Sequence, residues 1–179
     1  MHNFARSAAC AALALSLSTG TLLVSTALVA PAFAQSASQS SNLSQPQLES
    51  LVSSIALYPD SLLSQMLMAS TYPLEVAEAA NWLRGNPHLS GTALQDALKS
   101  QTWDNSVKSL VTFPDALNLM GNQLSWTQKL GDAYLAQPKD LMQAVQTLRA
   151  KARQAGNLSS NSQVTVSNDP QSNIIIVPS

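Results

Sequence analysis

The stretch from Ala56 to Pro87, ALYPDSLLSQMLMASTYPLEVAEAANWLRGNP, decides the fold class because prolines interrupt its long apolar runs. Pro59 disfavours a helical conformation at Tyr58, and Asp60 directly after it is suited to cap the next helix. The pattern stops a second time at Tyr72-Pro73. The stretch therefore predicts short helices joined at proline corners. The apolar residues recur at the spacing of one helix face, as in Val76, Ala79, Ala80 and Leu83.

The same pattern extends to both sides of this stretch. Ser44, with a proline two residues later, is a typical helix start, and Asp104 is suited to cap another helix. Phe113-Pro114-Asp115 repeats the aromatic-Pro-Asp corner, and Gly156 is typical of the position just after a helix end. These signals predict an all-α domain over residues 45–157, a compact array of about seven short helices.

Residues 158–179 form a β-rich C-terminal tail. QVTV (Gln163–Val166) and IIIV (Ile174–Val177) are separated by the turn residues SNDPQSN, which predicts a small β-hairpin. Because an isolated hairpin is marginally stable in water, it must dock on the helices, pair with another chain, or begin a longer structure.

Residues 1–34 have the features of a cleavable signal peptide. Arg6 precedes an apolar stretch rich in Ala and Leu, and Ala32 and Ala34 form the small-x-small pattern of a cleavage site. We therefore expect cleavage near Ala34 and a periplasmic or secreted mature protein, with a disordered spacer at 35–44. The alternative is that the segment is retained, and only then do we expect contact with the membrane.

Composition excludes several functions for the mature chain. Cleavage removes Cys10, the single cysteine, and with it disulfide and thiolate chemistry. Removing Arg6 from the nine Lys and Arg leaves eight against ten acids, a net charge of about −2 (8 − 10), which does not predict nucleic-acid binding. Without a glycine-rich phosphate loop we expect no nucleotide and no cofactor. His88 is the one histidine beyond Ala34 and lacks zinc-ligand spacing, so we expect no metal site.

Three acids are candidates for chemistry. Asp60 and Asp115 each follow an aromatic-Pro pair, and Glu75 lies early in a predicted helix. A pair of such carboxylates is the requirement for acid–base cleavage of a glycan. Capping and first-turn positions explain the same three residues without catalysis, because a helix start favours an acidic side chain.

Four aromatic residues are candidates for binding: Tyr58, Tyr72, Trp82 and Trp126. Aromatic faces in a groove bind the apolar surfaces of sugars or an extended peptide. The alternative is that they wedge the short helices together in the core.

Two parts of the chain resemble each other. Tyr58–Arg84 and Phe113–Arg149 both contain aromatic-Pro-Asp, an apolar helix, a second proline and a helix that ends in Leu-Arg. This similarity favours the hypothesis of an internal duplication, in which each unit buries the apolar face of the other.

Four blocks carry a resemblance to a known family: LVSSIALYPDSLLSQMLMASTYPLEVAEAANWL, TWDNSVKSLVTFPDAL, WTQKLGDAYLAQPKDLMQAVQTLRAKARQAGNL and IIIVP. Over about residues 46–178 the chain resembles the proteobacterial exported proteins of the family called domain of unknown function 3300. The resemblance implies no assigned activity. In that family the final Val-Pro usually continues into a low-complexity region rich in Tyr, Pro, Trp or His.

These observations favour a non-enzymatic binding or scaffolding domain of the cell envelope, with a protein or a cell-wall polymer as its partner. The β-rich tail offers one route to a partner, since a free strand can add to a neighbouring sheet. The alternative is a carboxylate-dependent hydrolase or lyase that acts on envelope glycans.

Overall fold

The computed structural model of the protein describes residues 42–179. The predicted signal peptide at 1–34 and residues 35–41 of the predicted spacer lie outside this range. The described part forms eight α-helices followed by a two-stranded antiparallel hairpin, which confirms the prediction of a mainly α-helical fold. The elements are α1 (Gln45–Val52), α2 (Asp60–Ala69), α3 (Pro73–Gly85), α4 (Gly91–Lys99), α5 (Asn105–Leu110), α6 (Pro114–Asn122), α7 (Leu124–Ala136), α8 (Pro138–Gln154), β1 (Val164–Asn168) and β2 (Ile174–Pro178).

The difference from about seven predicted helices comes from a break that no proline marks. α6 ends at Asn122 and α7 begins at Leu124, with Gln123 between them at φ −123° and ψ 55°. The Thr127 hydroxyl donates to the carbonyl oxygen of Met120 at 2.8 Å. This bond takes up an acceptor near the end of α6, where helices leave carbonyl groups free.

The helix starts agree with the sequence at Asp104 and differ at the two aromatic-Pro-Asp corners. Asp104 accepts a hydrogen bond from Ser106 N at 2.8 Å and caps α5. At the two corners the cap positions hold Pro59 and Phe113. The expectation that Asp60 and Asp115 cap their helices is therefore corrected, since both lie inside the first turn, where the helix dipole still favours an acid.

One apolar core holds the helices together. α1 packs on α8, α2 on α5 and α3 on α6, while α7 contacts α1, α2, α3, α6 and α8. Burial of a large apolar side chain contributes about 1.5–3 kcal/mol, so this shared core stabilises helices that are too short to be stable alone. Fully buried residues from five helices are Leu48, Met66, Leu117, Leu130 and Leu141. No helix within residues 42–179 is long and apolar enough to span a membrane.

α7 crosses the end of α2 at a glycine. Gly131 is buried, and a Cβ atom at this position would overlap the carbonyl oxygen of Ser70. The backbone of α7 at Gly131 therefore contacts the backbone at Ser70, and the corner before Pro73 packs directly on α7.

The hairpin docks on the helices, which was one of the three arrangements expected for it. β1 and β2 pair with Val166 opposite Ile176. Ile174 and Ile176 are buried with Leu158 in a second small core, which packs against Ala150 and Ala152 of α8. This burial supplies the support that a free hairpin lacks.

Candidate functional site

The aromatic candidates for binding, with core packing as the alternative, are Tyr58, Tyr72, Trp82 and Trp126. Trp82 packs edge-to-face on Trp103, with ring centroids 5.8 Å apart and an interplanar angle of 77°. Trp126 Nε1 donates to the carbonyl oxygen of Leu51 at 2.8 Å. Both indoles and Tyr58 are partly buried against the helical core, while Tyr72 is exposed. These contacts are typical of helix packing, and a binding role for the four residues stays a prediction.

The three candidate acids have different partners. Asp60 contacts Arg149 and the hairpin, and Glu75 Oε2 accepts a hydrogen bond from Asp104 N at 2.6 Å. Asp115 is exposed and makes no side-chain hydrogen bond to any residue in 42–179. Two of the three carboxylates are thus bonded to protein donors, and the hydrolase alternative stays a prediction.

α3 positions the start of α5 through two glutamates. Glu75 holds the backbone N–H of Asp104, and Glu78 Oε2 accepts from Trp103 Nε1 at 3.2 Å. The pKa of Asp104 is held below its usual value of 3.8, mainly because Ser106 donates both its hydroxyl and its backbone N–H to the carboxylate. The loop before α5 is therefore tied to α3 and to its own helix.

Arg149 is a buried cation, and each of its three side-chain nitrogens has an acceptor. Its side chain is 0% exposed and forms an ion pair with Asp60, Nη1 to Oδ1, at 2.6 Å. Nε donates to the carbonyl oxygen of Ala56 at 2.8 Å, Nη2 to that of Tyr58 at 3.1 Å, and Nη1 also to that of Ile174 at 2.8 Å. Because loss of one partner from a buried ion pair costs about 3–5 kcal/mol, this arginine ties α8 to the corner before α2 and to β2.

Side chains complete the edge of β2 that faces away from β1. Ile174 N–H donates to Gln146 Oε1 at 2.8 Å, and Gln146 Nε2 donates back to Ile174 O at 3.2 Å. Ile176 N–H donates to Asp60 Oδ2 at 3.0 Å. We call Asp60, Gln146 and Arg149 the hairpin-docking cluster, since these side chains take the place of a neighbouring strand.

The edge of β1 is covered by the loop before it. Val164 N–H donates to Asn161 Oδ1 at 3.0 Å, and Val166 N–H donates to Ser160 Oγ at 2.8 Å. The donors at the middle of both strand edges are therefore occupied. Addition of a partner strand would have to displace these bonds first, so the sequence-based idea that the tail recruits a partner by strand addition is not favoured.

A second polar region lies between α2, α4 and α5. It is a cleft of about 540 Å³, within the range of about 300–1,000 Å³ for small-ligand sites. We call it the open cleft. Its lining residues are Gln65, Gln95, Leu98, Lys99, Asn105, Lys108, Ser109, Thr112 and Phe113.

The polar side chains of the open cleft are mostly without partners. Gln65 Oε1 is buried and is the one such side-chain atom within residues 42–179 that lacks a hydrogen bond. The side chains of Gln95, Asn105, Lys108 and Ser109 also make no hydrogen bond to the described chain. An unpaired buried acceptor costs about 1–3 kcal/mol, so Gln65 carries an unmet hydrogen-bonding requirement in the protein interior.

A third region, the hairpin-side cleft, lies between α2, α8 and the hairpin and measures about 450 Å³. Its polar lining includes Asp60, Gln146, Asp169 and Asn173, and all four side chains are bonded within the protein. Asp169 Oδ2 accepts from Asn173 Nδ2 at 2.8 Å, which closes the hairpin turn. The side chains of Ser64, Lys139 and Gln143 in the same lining form no hydrogen bond within residues 42–179, so this cleft contains free polar groups as well as those used in hairpin docking.

Metal-ligating side chains are dispersed. His88 is exposed in the loop after α3. In the stretch from 42 to 179 the structure gathers no group of three or more His, Cys, Asp and Glu residues in positions to hold an ion. The absence of a metal site stays a prediction for the whole chain.

The family assignment follows from comparison with known proteins. The described part of the chain is a helical domain with a docked C-terminal hairpin. The profile of a family described as "Protein of unknown function (DUF3300)" matches residues 44–179, and the chain belongs to that family. The match confirms the resemblance found in the sequence blocks.

A relative in Escherichia coli strain K12 is named "Uncharacterized protein YacH". The chain is 50% identical to YacH over 143 residues, which is 80% of this chain and 22% of the relative. The chain therefore spans about a fifth of the length of the curated relative that it matches. No solved structure matches the chain.

The open cleft was not found from the sequence, although a signal for it exists. Asn105, Lys108, Ser109 and Thr112 follow one another at helical spacing, as one polar face of α5 and the turn after it. Such a face is ordinarily solvated, so the sequence alone does not separate it from an outer surface. Packing of α5 on α2 places this face beside Gln65.

Proposed function

We propose that this protein is a non-enzymatic binding domain of the cell envelope, and that it holds its partner in the open cleft. The observation that carries the proposal is the set of polar cleft side chains, Gln95, Asn105 and Ser109, that make no hydrogen bond within residues 42–179. The cleft of about 540 Å³ lies within the size range of small-ligand sites, and the donors and acceptors of these side chains are available to a ligand.

The location in the envelope rests on residues 1–34. Their apolar stretch and the cleavage pattern at Ala32 and Ala34 favour export to the periplasm or beyond. A partner in that compartment is a protein or a cell-wall polymer.

The non-enzymatic part of the proposal rests on how the acids are used. Asp60 is bonded to Arg149 and to Ile176 N–H, and Glu75 is bonded to Asp104 N–H. Acid–base chemistry needs a carboxylate with a lone pair that faces the substrate, and these two carboxylates serve the fold instead.

A photo-crosslinking amino acid placed in the exported full chain tests this proposal. Gln95 borders the open cleft and Gln143 borders the hairpin-side cleft, and both residues are exposed on helices. We expect a discrete adduct from Gln95 on irradiation of intact cells, and none from the matched position at Gln143. Protease or glycan-hydrolase treatment of the adduct then gives the class of the partner.

Two results of the crosslinking would contradict the proposal. The first is no adduct from Gln95, and the second is an equal yield from Gln143, which would indicate non-specific contact with the envelope.

A further inference from the structure

The C-terminal hairpin has an apolar core of its own. Leu158, Ile174 and Ile176 are buried together in a cluster that is separate from the shared core of the helices. The helical apolar residues that pack against this cluster are two alanines of α8, Ala150 and Ala152. Because alanine carries a single methyl group, these residues bury little side-chain surface when the hairpin docks. The shared core of the helices therefore does not depend on the hairpin.

Residues 158–179 are also bonded among themselves. β1 and β2 pair along their whole length. Asn161 N–H donates to the carbonyl oxygen of Val164 at 2.9 Å, and Ser179 N–H donates to that of Gln163 at 3.0 Å. Both partners of each bond lie within the segment, so these bonds do not tie it to the helices.

α8 ends in a cap that uses no part of the hairpin. Gly156 has a φ of 74°, and its N–H donates to the carbonyl oxygen of Arg153 at 3.1 Å. Asn157 N–H donates to the carbonyl oxygen of Ala152 at 2.8 Å. These two bonds form a Schellman motif, which closes the end of a helix. The last turn of α8 therefore keeps its bonds when the chain after Asn157 moves.

The hydrogen bonds between the hairpin and the helices are made by side chains. Gln146 exchanges two bonds with the backbone of β2, and Asp60 accepts one from it. Arg153 Nη1 donates to Asn168 Oδ1 at 2.7 Å on the surface. Water takes over such bonds at a small net cost, because the groups that separate exchange a protein partner for a water partner.

Arg149 keeps most of its partners without the hairpin. The carbonyl oxygen of Ile174 is the acceptor that the hairpin supplies. Asp60 Oδ1 and the carbonyl oxygens of Ala56 and Tyr58 lie in the helical domain. Departure of the hairpin therefore leaves the ion pair in place and lets water reach the guanidinium. No unpaired buried charge is created, so the large cost of such a charge does not oppose the movement.

From these contacts we infer that the hairpin is a movable cover. Residues 158–179 detach from α2 and α8 as one unit while the helices stay folded, and Arg149, Asp60 and Gln146 are then uncovered. Segments with few buried apolar contacts to the rest of a protein open at a lower free energy than the whole protein unfolds. The movement involves no residue that lines the open cleft, so it is separate from the proposed binding function.

Native-state hydrogen exchange of the purified full chain in low urea tests this inference. The amides of Ile174 and Ile176 report on docking, and those of Ala80 and Leu130 report on buried parts of α3 and α7. We expect the first pair to exchange at least about a hundredfold faster than the second pair. The first pair should also share one weaker dependence on urea, because opening of the hairpin exposes less surface than unfolding of the helices does.

Two matched variants show which core each amide depends on. Ile176→Val removes a methyl group from the hairpin core, and Ile55→Val makes the same change in the shared core of the helices. Ile55→Val should speed exchange at Ala80 and Leu130 about fivefold. Exchange at Ile174 should change less than about twofold in this variant, because Ile55 is packed in both the closed and the open form. Ile176→Val should speed exchange at Ile174 about fivefold.

Three results would overturn the movable cover. Equal rates and equal urea dependence at all four amides would mean that the hairpin leaves only when the helices unfold. Equal acceleration at Ile174 and Leu130 in Ile55→Val would mean the same. Exchange at Ala150 and Ala152 at the rate of Ile174 would place the end of α8 in the opening segment. Crosslinking from Gln95 does not depend on any of these results, so this inference and the proposed function fail separately.

Discussion

The hairpin-docking cluster and the open cleft contain the same kinds of side chains and use them in opposite ways. In the cluster, the side chains of Gln146 and Arg149 form hydrogen bonds with backbone groups of the same chain. In the open cleft, the side chains of Gln65, Gln95 and Lys108 form no hydrogen bond to residues 42–179. The comparison shows that residue type alone does not identify a candidate ligand group. What identifies it is whether the side chain already has a hydrogen-bond partner within the protein.

The difference follows from the elements that surround each region. The outer edge of β2 presents N–H and C=O groups to neighbouring helices. Backbone groups inside those helices are already hydrogen-bonded and cannot pair with the strand. Asp60 and Gln146 must therefore supply the missing partners. The walls of the open cleft are helices, whose backbone groups are paired internally, so the side chains between them remain available.

The largest expected change in the free energy of unfolding comes from a substitution in the hairpin-docking cluster. Arg149→Met should lower the free energy of unfolding by about 3–5 kcal/mol, because Asp60 and three carbonyl groups lose a buried partner. Arg84→Met is the matched control, since Arg84 is also preceded by leucine but is exposed, and it should change the free energy by less than about 0.5 kcal/mol. Urea denaturation measures both. Equal losses in the two variants would show that Arg149 carries no special structural role.

A pair of glutamine variants compares the two regions directly. Gln146→Leu leaves the N–H of Ile174 without its acceptor and should cost about 1–3 kcal/mol. Gln65→Leu removes a buried oxygen that has no partner, and it should raise the free energy of unfolding by about 1 kcal/mol.

Urea denaturation and amide hydrogen exchange at Ile174 follow this second comparison. Faster exchange is expected only for Gln146→Leu. If Gln65→Leu destabilises the protein as much as Gln146→Leu does, Gln65 has a structural role and the contrast between the two regions fails.

The smallest expected effect is a loosening of the hairpin turn in acid. The pKa of Asp169 is lowered from its usual value of 3.8, mainly because the Asn173 side chain donates to the carboxylate. A lowered folded-state pKa means that the stabilisation is present above pH 3.8 and is lost as the pH falls below that value through the folded pKa. We expect the Gln171 and Asn173 amide signals, whose N–H groups also donate to Asp169, to shift in that window.

Asp169→Asn separates this titration from that of Asp104, whose pKa is lowered in the same direction at the start of α5. In the variant the turn signals should no longer follow pH, while the signals at the start of α5 still should. Turn signals that keep their pH dependence in Asp169→Asn would assign the effect to another group.

The two aromatic-Pro-Asp corners show what the local sequence can predict and what it cannot. Both predicted a helix boundary, and α2 and α6 do begin there. Asp60 and Asp115 are indistinguishable in local pattern, yet Asp60 binds Arg149, 89 residues away in sequence, and Asp115 is exposed. A local pattern holds no information on which distant residue arrives at a corner.

The two matched Leu-Arg positions also differ in their tertiary contacts. Arg84 bonds to Asn81 and Asn122 at the surface, whereas Arg149 is buried beneath the hairpin. Corresponding positions of the two similar halves are therefore used differently, and the internal duplication stays a prediction.

The sequence by itself determined the helical class, the proline corners, the cap of α5 at Asp104 and the existence of the hairpin. Each of these follows from the conformational limits of proline or from the spacing of apolar residues within a few turns. The tertiary structure alone decided that Asp60 and Arg149 hold the hairpin, and that the polar face of α5 lies beside a cleft. Those facts depend on which helices pack together, because a hydrogen bond between distant residues exists only once the core has brought them within reach.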